Sequence, residues 1–156
     1  MAIDYKFYKQ KTNCCVPACL QSILDSREIV VPSQEEIFSL FPSNENGVIL
    51  NPENLNEFLE RYNLKAEYQH KCLSFIDIEE VVKDAIQASK NILTGYYSSL
   101  VFRALHASIL VDTDGDNAIL LDPTNKFKTV KFNDILNSML PLDGQVGFYL
   151  IDKIKN

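Results

Sequence analysis

Residues able to run acyl transfer occur in a fixed order along this chain. A glutamine, Gln10, precedes an adjacent pair of thiols, Cys14 and Cys15; a histidine, His106, follows much later on an apolar run; an Asp122-Pro123 pair comes one hairpin further on. Together they offer an oxyanion donor, a nucleophile, a general base and a carboxylate to orient that base. The chain has only two histidines, His70 and His106, so the choice of base is narrow.

A cysteine attacks carbonyl carbon as its thiolate, and the unpaired N–H groups of a helix N-terminus favour that anion. Pro17 marks such a terminus, because deeper in a helix it would remove a backbone hydrogen bond. Cys15 then falls at the cap or first helical position and Cys14 at or before the cap. Cys19, one turn further along, reads as a small apolar core residue. His106 lies among Leu105, Ala107, Ser108 and Ile109, where a lone histidine is more often structural. Asp122 changes that reading, since a hairpin turning at Asp114-Gly115-Asp116 brings it back toward the start of the His strand. There a carboxylate can fix one imidazole tautomer and stabilise imidazolium. Gln10 by itself reads as a surface glutamine; in this company its amide can serve an oxyanion beside the backbone N–H of the nucleophile.

The elements that must position these groups divide into two regions. The first two-thirds reads mainly helical. Leu20, Ile23 and Leu24 give helix one an apolar stripe, and Ser33 with Glu36 forms a capping box ahead of Ile37, Phe38 and Phe41. Asn51-Pro52 opens a third helix carrying Leu55, Phe58 and Leu59, with Asn63 as its stop. Asp77 with Glu80 caps a fourth that turns Val81, Val82, Ala85 and Ile86 inward. From Ile92 the pattern becomes strand-like: Ile92 to Tyr97, Ala104 to Val111, Ala118 to Leu121, Phe127 to Phe132 and Val146 to Ile151, interrupted by one short helix from Asn133 to Met139. Helices first and an antiparallel sheet later is an α+β arrangement, with the early helix packed on the late sheet.

At 156 residues the chain reads as a single domain, residues 1–156, able to bury a real core. Its 46% hydrophobic and 23% charged residues suit a globular protein. The excess of 21 acidic over 15 basic side chains and a pI near 4.9 argue against nucleic acid as a partner. The stretch from Lys126 to Lys131 reads as a solvated strand face. No apolar run approaches the roughly 20 residues that span a bilayer, and the N-terminus lacks a signal-peptide core. With three of four cysteines within six positions, free thiols in a reducing cytoplasm are expected rather than a disulfide framework. Delivery by a route without a cleaved signal would leave no trace.

The segment Gln10-Lys11-Thr12-Asn13-Cys14-Cys15-Val16-Pro17-Ala18-Cys19-Leu20 resembles the opening of the papain-like peptidases that remove double-glycine leaders from bacteriocins, and of their standalone relatives. That opening reads Gln, a few residues, then Cys-Gly-x-Ala-x-Leu and a hydrophobic helix. His106 through Ile109-Leu110-Val111, Asp114-Gly115-Asp116 and Leu120-Leu121-Asp122-Pro123 resembles the same family's His strand, turn and Asp-Pro; Asn91-Ile92-Leu93, the helix at Phe132 and the strand from Val146 to Ile151 fit its layout. The resemblance implies a papain-like fold with Cys15 as nucleophile, His106 as general base and acid, Asp122 as orienting residue and Gln10 as oxyanion donor. Ala18 and Leu20 take the family's small and apolar positions only if Cys15 is the nucleophile. Two departures stand out: Val16 replaces the glycine that usually follows the nucleophile, and Cys14 stands where Asp, Asn or Thr is common.

The expected activity is that of a cysteine peptidase or amidase acting on a peptide or protein through a thioester. The alternatives are a papain-like acyltransferase or transpeptidase, in which an amine replaces water, and a non-catalytic domain that binds a peptide or protein. No cofactor and no metal are expected. Asp112-x-Asp114-Gly115-Asp116 imitates a calcium loop but puts Asn117 at the glycine position and Pro123 at that of the bidentate acid, so it reads as a plain hairpin turn. Cys14, Cys15 and Cys19 with His70 and Cys72 fit no closed zinc spacing. Tyr96, Tyr97, Phe102, Phe148 and Tyr149 read as sheet core.

Overall fold

The computed structural model describes residues 3–72, 77–97, 105–139 and 142–155. Phe102, expected in the sheet core, and Ala104, expected to open the His strand, lie outside them. Helix α1 (Cys15–Ser26) comes first, followed by α2 (Gln34–Ser39), the short strands β1 (Ser43–Asn44) and β2 (Gly47–Val48), and α3 (Pro52–Glu60). Then come β3 (Leu64–Gln69), α4 (Ile78–Gln87), β4 (Asn91–Tyr97), β5 (Leu105–Thr113), β6 (Asn117–Asp122), β7 (Lys126–Lys131), α5 (Phe132–Asn137) and β8 (Gly147–Lys153). Strands β1 and β2 pair with each other, and the other six form one sheet in the order β3-β8-β4-β5-β6-β7, every pairing antiparallel.

The helix boundaries follow local chemistry. Ser33 Oγ accepts from the Glu36 N–H at 3.1 Å, and Asn51 Oδ1 from the Asn54 N–H at 2.8 Å, so both helices begin on a side-chain cap. Asn63 stops the third helical segment with φ +58°, a left-handed conformation asparagine tolerates. Asp77 caps α4 through the Glu79 N–H at 3.1 Å, one residue earlier than the capping-box pattern. The Lys131-to-Phe132 boundary also differs from expectation: Phe132 opens α5, and its N–H leaves the strand ladder to reach Asp116 O at 3.0 Å.

Helices cover both faces of the sheet, where the sequence reading had the early helix on one. Leu93, Ile109, Leu121, Tyr149 and Ile151 pack with α1, α2 and α3. Ile92, Leu110, Leu120, Phe148 and Leu150 face α4 and α5 on the other side. Neighbours along one strand thus enter opposite cores, as a period of two requires when both faces are covered. Strand β3 had no place in the mainly helical reading of this region. Its alternation of Leu64, Ala66 and Tyr68 with Lys65, Glu67 and Gln69 carries the strand signal, and it forms the edge beside β8. Among the described residues no helix is long and apolar enough to cross a membrane.

Candidate active site

Asn13 turns the chain into α1 with φ +60°, and the Cys14 N–H closes the turn on Lys11 O at 3.0 Å. Cys14 is the N-cap and Cys15 the first helical residue. Cys14 O accepts the first helical bond, from Ala18 N at 3.0 Å; Pro17, third in the helix, occupies a position whose N–H would have no helical acceptor. All four cysteines are free: Cys14 and Cys19 buried, Cys15 half-buried, Cys72 exposed. Burial, with Glu35 and Cys15 nearby, pushes the Cys14 thiol up and keeps it protonated. Cys19 Sγ contacts Ala107 O at 3.6 Å. That contact docks the first turns of α1 on the residue next to His106.

His106 sits at the start of β5, opposite Tyr96 of β4, whose ring it meets edge-on at 5.9 Å. Its Nε2 lies 2.9 Å from Asp122 Oδ1, and the ring lines the same cleft as the Cys15 thiol. Burial works against imidazolium, but the Asp122 carboxylate and the Cys15 sulfur outweigh it and raise the His106 pKa to about 9. Asp122 is buried, its Oδ1 also accepting from the Thr124 N–H at 2.8 Å and its Oδ2 pairing with Lys128 Nζ at 2.8 Å. Burial alone would raise its pKa; His106, Lys128 and Thr124 instead hold it well below the usual carboxylate range.

Lys128 corrects the reading of β7 as a solvated face. Lys126 and Lys131 are exposed, whereas Lys128 is half-buried, pairs with Asp122 and lies 5.9 Å from the centroid of the Tyr96 ring. Spacing gave no sign of this, because a strand alternates its side chains and nothing local marks which lysine meets a buried carboxylate.

Cys15 and His106 line one cleft of about 570 Å³, with Val16, Gly95, Tyr97, Leu105 and Ala107 beside them. Its far wall comes from Asn44, Asn46, Val48 and Leu50, with Gln145 also in the lining. The β1–β2 ribbon is tied to the nucleophile's turn: Asn13 Nδ2 donates to Glu45 O at 3.0 Å. A Cβ on Gly47, at φ +129°, would stand 2.8 Å from Asn13 O, so only glycine fits there. Gly95 is likewise confined, a Cβ there meeting Gln145 O at 2.0 Å. Val16 is both core and cleft wall. Tyr97 also lines the cleft, while Tyr96, Phe148 and Tyr149 are buried in the sheet core as expected.

Gln10 is held against the turn that follows Asp122. Its N–H donates to Pro123 O at 2.8 Å, and its Oε1 accepts from Thr124 Oγ1 at 3.0 Å. It is not among the residues lining the cleft. His70 lies fully buried away from this group, its Nδ1 accepting from the Cys72 N–H at 3.0 Å. Asp112 belongs to β5, and Asp114 to Asp116 form the hairpin turn, in which Asp114 Oδ1 accepts from the N–H groups of Asp116 and Asn117 at 2.9 and 2.7 Å.

No family model matches the sequence, and no curated protein matches it. Solved structures do. A double glycine motif protease from an AMS/PCAT transporter, solved in complex with the leader peptide, is similar with a TM-score of 0.69 at 16% identity, over 97% of this chain and 94% of that one. The peptidase domain of Streptococcus ComA, a bifunctional ABC transporter involved in a quorum sensing pathway, gives 0.68 at 16% identity, over 96% and 97%. A Bacillus anthracis chain described as a C39-like peptidase gives 0.70 at 13% identity, over 96% of each chain. The chain has the α+β, papain-like fold of the double-glycine motif peptidase domains.

Proposed function

We propose that the chain is a cysteine peptidase or amidase in which Cys15 is the nucleophile, His106 the general base and acid, Asp122 the residue that orients His106, and Gln10 an oxyanion donor. The observation that carries this reading is the His106 ring, hydrogen-bonded to a buried Asp122 and lining the same cleft as a thiol at a helix N-terminus. Cys15 Sγ adds to the scissile carbonyl, and the backbone N–H of Cys15, which has no helical acceptor, meets the oxyanion with the Gln10 amide. His106 protonates the departing amine, leaving a thioester; it then takes a proton from water, whose oxygen adds to the acyl carbon and frees the thiol. A peptide substrate is supported by the cleft beside Cys15 and by the leader peptide bound to a protein of the same fold.

The test is covalent labelling by a thiol-directed acyl probe, located by mass spectrometry of the peptides. The acyl group should appear on Cys15, vanish in Cys15→Ala and survive in Cys14→Ala, because the native Cys14 thiol is buried and held protonated. Undiminished labelling of Cys15→Ala would exclude this nucleophile.

A further inference from the structure

We infer that Thr124 is a positioning residue for acyl transfer, deciding which end of the Gln10 carboxamide is left to serve the oxyanion. The inference rests on the reading of Gln10 as oxyanion donor. A glutamine amide has an accepting and a donating end, and only the donating end stabilises a developing negative charge. The Thr124 hydroxyl donates to Gln10 Oε1 at 3.0 Å, which occupies the accepting end and leaves Nε2 uncommitted to any described residue. With that hydroxyl gone, the amide could rotate about its terminal torsion, a broad two-fold well, and present its oxygen instead.

The rest of Gln10 is fixed independently. Gln34, buried at 5% exposure, clasps the peptide groups on both sides: its Nε2 donates to Lys9 O and its Oε1 accepts from the Lys11 N–H, each at 2.8 Å. Gln21 Oε1 accepts a second bond from Gln34 Nε2 at 2.9 Å, and Gln21 Nε2 donates to Pro32 O at 2.9 Å, so the clasp is itself held. With the Gln10 N–H on Pro123 O, hydrogen bonds hold the backbone at Gln10 and on both sides of it, and the contact to Thr124 is the one that holds its carboxamide. Thr124 also bonds Asp122 through its backbone N–H. One short turn therefore serves the carboxylate behind His106 with its main chain and the oxyanion donor with its side chain. Only the second contact is lost on replacing the side chain.

Two reactions of Cys15 separate these roles. Alkylation by iodoacetamide displaces iodide at a saturated carbon and builds no oxyanion. Acylation by p-nitrophenyl acetate adds the sulfur to a carbonyl, passes through an oxyanion, and expels p-nitrophenolate to leave a thioester. Gln10→Ala should slow acylation about 10²-fold, as loss of one oxyanion donor does. Thr124→Val should slow it roughly three- to tenfold, the worth of one orienting hydrogen bond, while alkylation keeps its rate and Thr124→Ser restores acylation. Added to Gln10→Ala, Thr124→Val should have no further effect. Thr124 is exposed, so its substitution leaves the core untouched. Unchanged acylation in Thr124→Val beside slow acylation in Gln10→Ala would overturn the inference alone, as would equal slowing of both reactions in Thr124→Val. Full acylation in Gln10→Ala would overturn the underlying reading of Gln10.

Discussion

Asp122 is shared between two cations, His106 on one oxygen and Lys128 on the other, and this sharing sets how tightly the imidazole holds its proton. Lys128 draws off part of the carboxylate's field. Replacing it with methionine should therefore move the His106 titration upward from about 9, read from the ring carbon shifts by NMR; a fall, or no movement, would contradict the pairing. The same raised value fixes a sign for stability. His106 binds its proton more tightly folded than unfolded, so its contribution is fully present below the ordinary value near 6.5 and is lost as pH rises through about 9. Asp122, held low, contributes oppositely: its share is present above the ordinary carboxylate value and is lost as pH falls through its folded one. Cys15, His106 and the Asp122-Pro123 turn could be picked out of the sequence because residue type, order and Pro17 all point the same way. Lys128 and Thr124 could not, since each acts across strands or loops that no local pattern joins.

Between elements, one buried asparagine ties the N-terminal segment, the end of α1 and the sheet together. Asn91, the first residue of β4 and fully buried, accepts from Arg27 Nε at 2.6 Å and donates to Tyr5 Oη at 2.8 Å and Ser26 Oγ at 3.0 Å. Arg27 goes on to Ile151 O at 3.0 Å and Asp152 at 3.6 Å on β8. Burial pushes Tyr5 up to about 12, so it stays neutral. Asn91→Leu would strand a guanidinium nitrogen away from water, a loss of about 2–3 kcal/mol or roughly 5–10 °C in Tm for a domain of this size. An unchanged Tm in calorimetry would show the network to be dispensable. The elements that could be read from sequence are those with a cap and a stripe together, such as α3 with Asn51, Pro52 and Leu55. Strand β3 followed a helix and alternates only on a half-exposed edge, so the helical context before it dominated the reading. The cleft's far wall at Asn44, Asn46 and Val48 comes from a ribbon too short to leave any periodicity.

Across the whole molecule, the sheet separates two cores, and the candidate site forms where α1 meets the start of β5. Cys15, His106 and Asp122 come from separate parts of the chain and are brought together because α1 docks on β5 and the β5–β6 hairpin returns Asp122 to His106. Similar architecture at 13–16% identity shows that very different sequences can support this fold, as expected when volume and patterning rather than residue identity decide packing. The claim that the thiol and the imidazole form one coupled unit has a direct measurement, the NMR titration of His106 in the native chain and in Cys15→Ala. Removing the sulfur takes away one of the two groups that stabilise imidazolium. The native midpoint should lie near 9 and fall in Cys15→Ala while Asp122 still holds the ring. A midpoint near 6.5 in both proteins, or one that ignores the loss of Cys15, would contradict the account.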